Sequence, residues 1–181
     1  YNYIFDKFPT NSKTIPIKQQ FDDKGVMVNE LEFEDFCYDK SKTQEYLSEF
    51  SPKSFTINST KELQKKIAKI TTKKVVIKPI IGSGAHGVKI INKEKAQKLD
   101  IKETNLLQEF IESKKFPEHG EYEVYDMRFF VLNGEIINGY YRFSQLGVLT
   151  SNVSTGGRIK MFQTKDIDAK LLKFIVDIDT K

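Results

Sequence analysis

The sequence is poor in cysteine, arginine and long apolar runs, and each shortage excludes a class of protein. Cys37 is the only cysteine in 181 residues, so an intramolecular disulfide cannot form. A cysteine-rich zinc site is also excluded, because the only two histidines, His86 and His119, lie far apart in the chain. We therefore expect an intracellular, cytoplasmic protein whose core forms without a covalent or metal cross-link.

Apolar residues are spread along the chain and are not collected in one segment. No stretch approaches the roughly 18 consecutive apolar residues of a membrane helix, and Tyr1 to Pro9 do not have the pattern of a signal peptide. Hydrophobic residues make up 39% of the chain and charged residues 30%, which is typical of a soluble globular protein. We expect a packed fold without a membrane partner.

Arginine is rare although the chain is basic. Of the 29 basic residues only Arg128, Arg142 and Arg158 are arginine, and the net charge is +4. Nucleic-acid readers rely on arginine for bidentate contacts, whereas scattered lysines usually form a solvated surface. We expect no nucleic-acid partner, and a lysine-rich nucleic-acid binder remains only as a third hypothesis.

The first half of the chain shows local signals for both helices and strands. The aromatic-rich segment from Tyr1 to Asp39, with its proline breakers, predicts short strands and loops. Lys42 to Phe50 favours a short helix that ends before Ser51-Pro52. A second helix begins at Ser59, a candidate N-cap with Glu62 three residues later.

The remaining segments read mainly as antiparallel strands. Lys74 to Pro79 predicts a buried strand, and Val88 to Ile91 completes a hairpin with it. Leu106 to Ile111 predicts another short strand. Tyr122 to Val131 and Glu135 to Phe143 flank an Asn-Gly pair, which is a strong hairpin signal, and Asp166 to Lys181 suits an amphipathic helix.

The loop Gly82-Ser83-Gly84-Ala85-His86-Gly87 lies at the tip of the first hairpin. Its glycines leave backbone amides open to phosphate oxygens, but a hairpin tip also needs glycine for its turn, so the loop alone leaves both interpretations open. A Walker P-loop is excluded because no Gly-Lys-Ser/Thr follows. A protein kinase fits poorly, because Lys78 precedes the loop where a kinase lysine follows it.

The surrounding motifs decide between these interpretations. Lys78-Pro79 followed by the glycine loop resembles the ATP-grasp superfamily, in which lysine-proline precedes a loop that covers phosphates. Leu107-Gln108-Glu109-Phe110-Ile111 looks like the hinge strand of that family, and Tyr38-Asp39-Lys40 looks like its Asp-Lys motif. Five such motifs in the family's order between Lys40 and Gly157 are far more specific than any one of them.

The remaining two motifs indicate a branch of the family. Asp126-Met127-Arg128 and the hairpin that follows are similar to the Asp-x-Arg hairpin of bacterial glutathione synthetase and ribosomal-protein glutamate ligase. Arg142 follows this hairpin. The segment from Ser151 to Gly157 resembles the asparagine-containing, Gly-Gly-ending segment of the same enzymes.

The resemblance assigns a role to each matching residue. The nucleotide phosphates would be held by Lys40, Lys78, Gly82, Ser83, Gly84 and Gly87. The adenine would lie against Gln108, Glu109, Phe110 and Ile111, with Asp126 on the ribose hydroxyls. Catalysis would fall to Arg142, Arg128 and Asn152: the arginines would stabilise the transferring phosphoryl group, and Asn152 would orient an oxygen or assist a metal ion. Each of these residues has a structural alternative as well, for example an Arg128–Asp126 pair or solvated lysines.

The resemblance also implies a fold and a domain plan. We expect an α+β ATP-grasp fold, in which two subdomains with mainly antiparallel sheets hold ATP between them, truncated at both ends. Residues 1–39 would end an N-terminal domain, 40–112 would form the lid subdomain and 113–181 part of the catalytic subdomain. The family's magnesium carboxylates are not found in the sequence, so Mg²⁺ ligands are expected beyond Lys181.

Two functions follow from this resemblance. The first is an ATP-dependent carboxylate-amine or carboxylate-thiol ligase that acts through an acyl phosphate, present here as a nucleotide-binding fragment that is inactive alone. Its partners would be a small-molecule or peptide carboxylate and an amine acceptor, and a homo-oligomer is allowed. The alternative is a non-catalytic ATP-binding regulatory or assembly module of the same fold.

Overall fold

The computed structural model describes residues 13–25, 30–112, 124–132, 134–153 and 156–179. These residues form six helices and seven strands, not counting 3-10 turns. In chain order they are α1 (Ile15–Asp22), α2 (Leu31–Tyr38), α3 (Lys40–Tyr46), β1 (Ser54–Ile57), α4 (Thr60–Ile67), β2 (Lys74–Pro79), β3 (Lys89–Asn92), α5 (Lys93–Ala96), β4 (Asn105–Glu109), β5 (Tyr125–Leu132), β6 (Glu135–Phe143), β7 (Arg158–Phe162) and α6 (Ala169–Asp179).

The start of the described chain is helical, and the prediction of strands and loops before Asp39 is wrong over these residues. Pro16 lies in the first turn of α1, where its fixed φ suits a helix and its missing N–H costs nothing. The two helices are joined by a buried ion pair between Lys18 and Glu34, whose Nζ and Oε2 atoms lie 2.7 Å apart. The sequence pattern does not indicate α1, because a proline inside a segment is usually a sign of a helix break.

The first sheet has the strand order β1-β4-β2-β3, and all its pairs are antiparallel. Helix α4 covers it, with Ser59 as the predicted N-cap: its hydroxyl accepts from the Glu62 N–H at 3.3 Å. Leu63 and Ile67 on this helix are fully buried in the main core together with Val75 and other sheet residues. The predicted hairpin of β2 and β3 is confirmed, and the glycine loop connects them.

The second sheet has the order β5-β6-β7 and is also antiparallel. The predicted hairpin of β5 and β6 is confirmed, and a bulge shifts its register between Phe130 and Val131. Strand β7 was not predicted. Gly139 must lack a side chain here, because an added Cβ would lie 2.3 Å from the Phe162 ring.

The predicted C-terminal helix is confirmed as α6, which begins three residues later than expected. This helix contacts both halves of the described chain. Phe174 packs edge-on against Phe50, with ring centroids 5.6 Å apart. Ile175 and Ile178 line a small cavity together with residues of β5. Among the residues that the structure covers, no helix has the length and apolar character of a membrane span.

Several sequence predictions fall on residues outside the described part of the chain. They are the aromatic-rich start before Lys13, the apolar run Val26-Met27-Val28, His119, Tyr122 and Glu123 at the start of a predicted strand, Asn133 of the Asn-Gly turn, Ser154-Thr155 and the last two residues.

Candidate functional site

A cleft of about 720 Å³ lies between the two sheets, which is within the usual range of ligand sites. All the residues assigned to the nucleotide or to catalysis from sequence line this cleft except Gly87, which lies at the rear of the glycine loop. They come from α3, β2, β4, β5, β6 and three loops. The fold therefore brings together residues that are more than 100 positions apart in the chain.

Lys78 is the cation at the centre of the cleft wall. Its ammonium donates a hydrogen bond of 2.9 Å to Oε1 of Gln108 on the neighbouring strand. Burial lowers its pKa below the usual lysine value, and the positive charge of Lys40 lowers it further. Among the described residues Lys78 has no carboxylate partner, so its charge is only hydrogen-bonded and not neutralised.

Lys40 is the second cation of the cleft, at the start of α3. Its ammonium donates to the carbonyl of Gly82 at 2.5 Å and to that of Ile80 at 3.4 Å, while its backbone N–H also donates to Ile80 at 3.0 Å. Burial lowers its pKa, and the charge of Asp39 partly opposes this. Lys40 thus ties the Asp-Lys motif to the entrance of the glycine loop.

The glycine loop folds as two consecutive tight turns. The amide of His86 donates to the Ser83 carbonyl at 3.3 Å, and that of Val88 donates to Ala85 at 3.2 Å. Ala85 has a positive φ of 61°, a strained conformation for a residue with a side chain. Gly87 has a φ of 73°, and an added Cβ would lie 2.8 Å from the Pro79 ring. Both the left-handed backbone and the close contact with Pro79 therefore require glycine at position 87.

The hinge segment divides its side chains between the two faces of the sheet. Gln108 turns toward Lys78, whereas the Glu109 carboxylate accepts from the amide and the hydroxyl of Thr71, at 3.1 and 2.8 Å. These bonds lower the pKa of Glu109, the backbone bond most. Strand β4 ends at Glu109, so the predicted strand extends two residues too far at its C-terminal end, and Phe110 and Ile111 follow β4 along the cleft.

Arg142 and Asp126 form a bidentate ion pair across β5 and β6. The Nε–Oδ1 and Nη2–Oδ2 distances are 2.8 and 2.5 Å, and the hydroxyl of Ser151 donates to the same carboxylate. The hydrogen bond from Arg142 to Asp126 raises the pKa of the guanidinium. The alternative pairing of Asp126 with Arg128 is not formed; Arg128 is exposed at the cleft wall.

Asn152 lies opposite the glycine loop. An atom at the Cβ position of Gly84 would be 4.0 Å from its Nδ2, so the loop tip reaches the segment after β6. The Asn152 carbonyl accepts from the Gly157 amide at 3.1 Å. Gly157 has no room for a side chain, since an added Cβ would lie 2.8 Å from that carbonyl oxygen. The Gly-Gly ending of this motif therefore shapes the Asn152 loop.

The cleft suits an anion better than a metal ion. Lys40, Lys78 and Arg128 point cationic groups at it without carboxylate partners among the described residues, and the glycine loop borders it. In that part of the chain no group of three or more His, Cys, Asp and Glu side chains is placed to hold a metal ion. The described residues fit a polyphosphate but not a magnesium site.

Sequence reasoning missed two groups at this site. Gln44 and Ser54 contact Gln108 from behind the cleft, and Ser151 binds Asp126. Ser151 could have been found within its motif, because it precedes Asn152 directly. Gln44 and Ser54 carry no such signal, since they lie 64 and 54 residues from Gln108.

A family model described as a RimK-like ATP-grasp domain matches residues 39–176. A RimK domain protein of the ATP-grasp type from Sphaerobacter thermophilus DSM 20745 superposes with a TM-score of 0.56 at 15% identity, over 78% of this chain and 56% of that chain. The ATP-grasp ligase PsnB complexed with minimal precursor gives 0.54 at 12% identity, over 91% and 51%. The chain spans about half the length of these structures. No curated protein sequence matches it.

Proposed function

Because the chain belongs to the RimK-like ATP-grasp domain family, we propose that it is the nucleotide-binding part of an ATP-dependent carboxylate-amine or carboxylate-thiol ligase. The observation that supports this most is the pair of lysines, Lys40 and Lys78, which line one cleft with the glycine loop and have no carboxylate partner among the described residues. Two such cations in one cleft repel each other, and a polyphosphate would relieve that repulsion.

The phosphates would bind between β2 and the glycine loop. Lys78 would contact them with the N–H groups that it does not use on Gln108, because an ammonium has three donors. Backbone amides of Ser83 and Gly84 would add neutral donors. Lys40 would act on the same phosphates and would also hold the loop entrance through the Gly82 carbonyl.

The base and ribose would extend along β4 toward β5. Phe110 and Ile111 offer apolar surface beside the backbone of the hinge segment, which suits a flat ring. Asp126 accepts three hydrogen bonds, two from Arg142 and one from Ser151. A carboxylate has about four acceptor positions, so its main role would be to hold Arg142, with one position left for a ribose hydroxyl.

The reactive end of the cleft would lie at Arg142, Arg128 and Asn152. Bound ATP would supply the γ-phosphoryl group that turns a carboxylate into an acyl phosphate and leaves ADP, and an amine or a thiol would then attack the acyl carbon and displace phosphate. Arg142 is held rigidly by Asp126, so its guanidinium would stabilise the developing charge with little reorganisation. Arg128 would bind the carboxylate, and the glycine loop would exclude water.

The domain plan follows the two sheets. Residues 40–112 would form the lid subdomain, since they contain the whole first sheet and its glycine loop, and residues 113–181 would form part of the catalytic subdomain with the second sheet. Residues 1–39 would belong to a preceding domain. Magnesium would need carboxylates from outside the described residues.

Trapping of an acyl phosphate tests the ligase function. The full-length protein, with the magnesium carboxylates that the proposal expects outside the described residues, would be incubated with ATP, Mg²⁺, hydroxylamine and a set of amino-acid and peptide carboxylates, and hydroxamate and ADP would be measured together. The proposal predicts that both products form in equal amounts with a suitable carboxylate and disappear in Arg142→Lys, which keeps the charge but not the bidentate geometry. ATP binding without ADP or hydroxamate would favour the alternative, a non-catalytic ATP-binding module.

A further inference from the structure

A buried amide connects the cleft lysine to residues outside the cleft. Gln108 is 9% exposed, and its Oε1 accepts from Lys78 at 2.9 Å. Its Nε2 donates two hydrogen bonds on the other side, to Oε1 of Gln44 and to Oγ of Ser54, both at 2.9 Å. The carbonyl oxygen and both N–H groups of the Gln108 amide therefore have hydrogen-bond partners.

The donors and acceptors of this network have only one consistent direction. Gln44 donates its own amide to the Pro52 carbonyl at 3.2 Å, and the Ser54 hydroxyl donates to the same carbonyl at 2.8 Å. Both side chains are thus left as acceptors toward Gln108. A rotation of the Gln108 amide by 180° would place its carbonyl against two acceptors and its amino group against the Lys78 ammonium. The network fixes which end of the amide meets Lys78.

A neutral partner has an electrostatic consequence for Lys78. A carboxylate at position 108 would neutralise the ammonium, whereas an amide holds it in place and leaves its charge available. Gln44 and Ser54 do not line the nucleotide cleft, so their effect on a bound ligand must pass through Gln108. They come from α3 and β1, which places both outside every motif of the sequence.

We propose that Gln44 and Ser54 are positioning residues that orient the Gln108 amide and thereby hold Lys78 at the phosphate end of the cleft. The expected effect of Gln44 and Ser54 on ATP affinity rests on the proposed binding of ATP. The orientation itself does not, because it can be measured on the ligand-free protein.

A double-mutant cycle separates this role from general stability. Gln44→Leu and Ser54→Ala should each weaken ATP binding by roughly 3- to 10-fold, the cost of losing one hydrogen bond in the network. Ser54→Thr, which keeps the hydroxyl, should bind as wild type. In a Gln108→Leu background neither substitution should weaken binding further. Gln64→Leu, an exposed helical glutamine, is the matched control and should bind as wild type.

The side-chain amide of Gln108 gives a second readout without nucleotide. In ¹⁵N NMR spectra its two protons, assigned by their loss in Gln108→Leu, should exchange slowly with solvent in the wild type. Exchange should be fast in the Gln44→Leu/Ser54→Ala double variant while thermal unfolding stays cooperative. Wild-type affinity and slow exchange in that double variant would overturn the proposal, and so would additive losses in the Gln108→Leu background. A wild-type chain that binds no ATP would instead refute the proposed function, and the exchange measurement would still decide the orientation.

Discussion

The guanidinium of Arg142 and the carboxylate of Asp126 face each other in register across β5 and β6, joined by two hydrogen bonds of 2.8 and 2.5 Å. The pair is partly shielded, since the Arg142 side chain is 17% exposed and that of Asp126 is 39% exposed. Its geometry makes Asp126 the residue that aims Arg142 into the cleft.

Asp126→Asn should separate stability from function at this pair. The amide can accept only one of the two bonds from Arg142, so we expect the free energy of unfolding to fall by about 1 kcal/mol in urea denaturation. Hydroxamate formation by the full-length protein should fall far more, by about 10- to 100-fold, because Arg142 loses its orientation. Ser151→Ala removes only the neutral donor, so the free energy of unfolding and hydroxamate formation should both fall less than in Asp126→Asn. Equal activity of Asp126→Asn and wild type would refute this role.

Gly87→Ala should be more destabilising than an ordinary glycine substitution in a turn. The left-handed conformation costs an alanine roughly 1–2 kcal/mol, and the added Cβ would also lie 2.8 Å from the Pro79 ring. Gly134→Ala is the matched control, because Gly134 has a φ of 79° and nothing within 4 Å of an added Cβ. Chemical denaturation should show the larger loss at Gly87 by about 1 kcal/mol or more. Equal losses would mean that the Pro79 contact relaxes freely.

Lys40→Met should loosen the entrance of the glycine loop. The substitution removes the ammonium that bonds to the Ile80 and Gly82 carbonyls. Hydrogen exchange should therefore become faster at the His86 and Val88 amides, which close the two turns of the loop. Lys42→Met is the control, since the exposed Lys42 side chain pairs with Asp35 away from the loop. Unchanged exchange in Lys40→Met would show that the loop is held without it.

Nucleotide affinity should fall as the pH becomes alkaline, and the fall should begin at a lower pH than the titration of an exposed lysine would give. Burial and the neighbouring Lys40 lower the pKa of Lys78, so its charge is lost below the usual pKa of about 10.4. The phosphates of ATP are already fully charged there, since their last pKa lies near 6. Lys78→Arg keeps its charge at these pH values and should remove most of the alkaline fall. Calorimetric titrations between pH 7 and 10 would measure both.

The ligand-free protein should respond to pH in the opposite direction. Because the pKa of Lys78 is lower in the folded state, the folded protein releases this proton before the unfolded protein does. The charged Lys78 therefore lowers the free energy of unfolding at neutral pH. This loss is recovered as the pH rises from the folded-state pKa of Lys78 toward the usual lysine pKa. The difference in the free energy of unfolding between wild type and Lys78→Met, measured as a function of pH, isolates this contribution.

The sequence predicted those parts of the fold that local pattern controls. Strand β2, the glycine loop and the β5–β6 hairpin were found because each is signalled by neighbouring residues, and the ordered motifs identified the ATP-grasp fold. The helices before Asp39 were missed, since proline at a first helical turn looks like a breaker in sequence. Strand β7 was missed although Arg158 to Met161 alternate between polar and apolar residues; the strand is short and exposed except at Phe162.

The residues that line the cleft were predicted better than the contacts between them. Motif order is enough to place Lys78, Gln108 and Arg142 at one site, but their partners depend on strand register and on long-range packing. The pairing of Asp126 with Arg142, and not with Arg128, follows from the register of β5 and β6. The contact between Gln44 and Gln108 joins residues 64 positions apart, which no local pattern encodes.

Calorimetric titration of ATP into the wild-type chain and into Lys78→Ala tests the central claim most directly. Lys102→Ala is the matched control, because it removes the same charge from a side chain that is 82% exposed. We predict saturable binding to wild type and Lys102→Ala, with or without Mg²⁺, and binding about 10- to 100-fold weaker to Lys78→Ala, as expected for a charge-assisted hydrogen bond. Equal affinity for ATP in wild type and Lys78→Ala would contradict the assignment of this cleft.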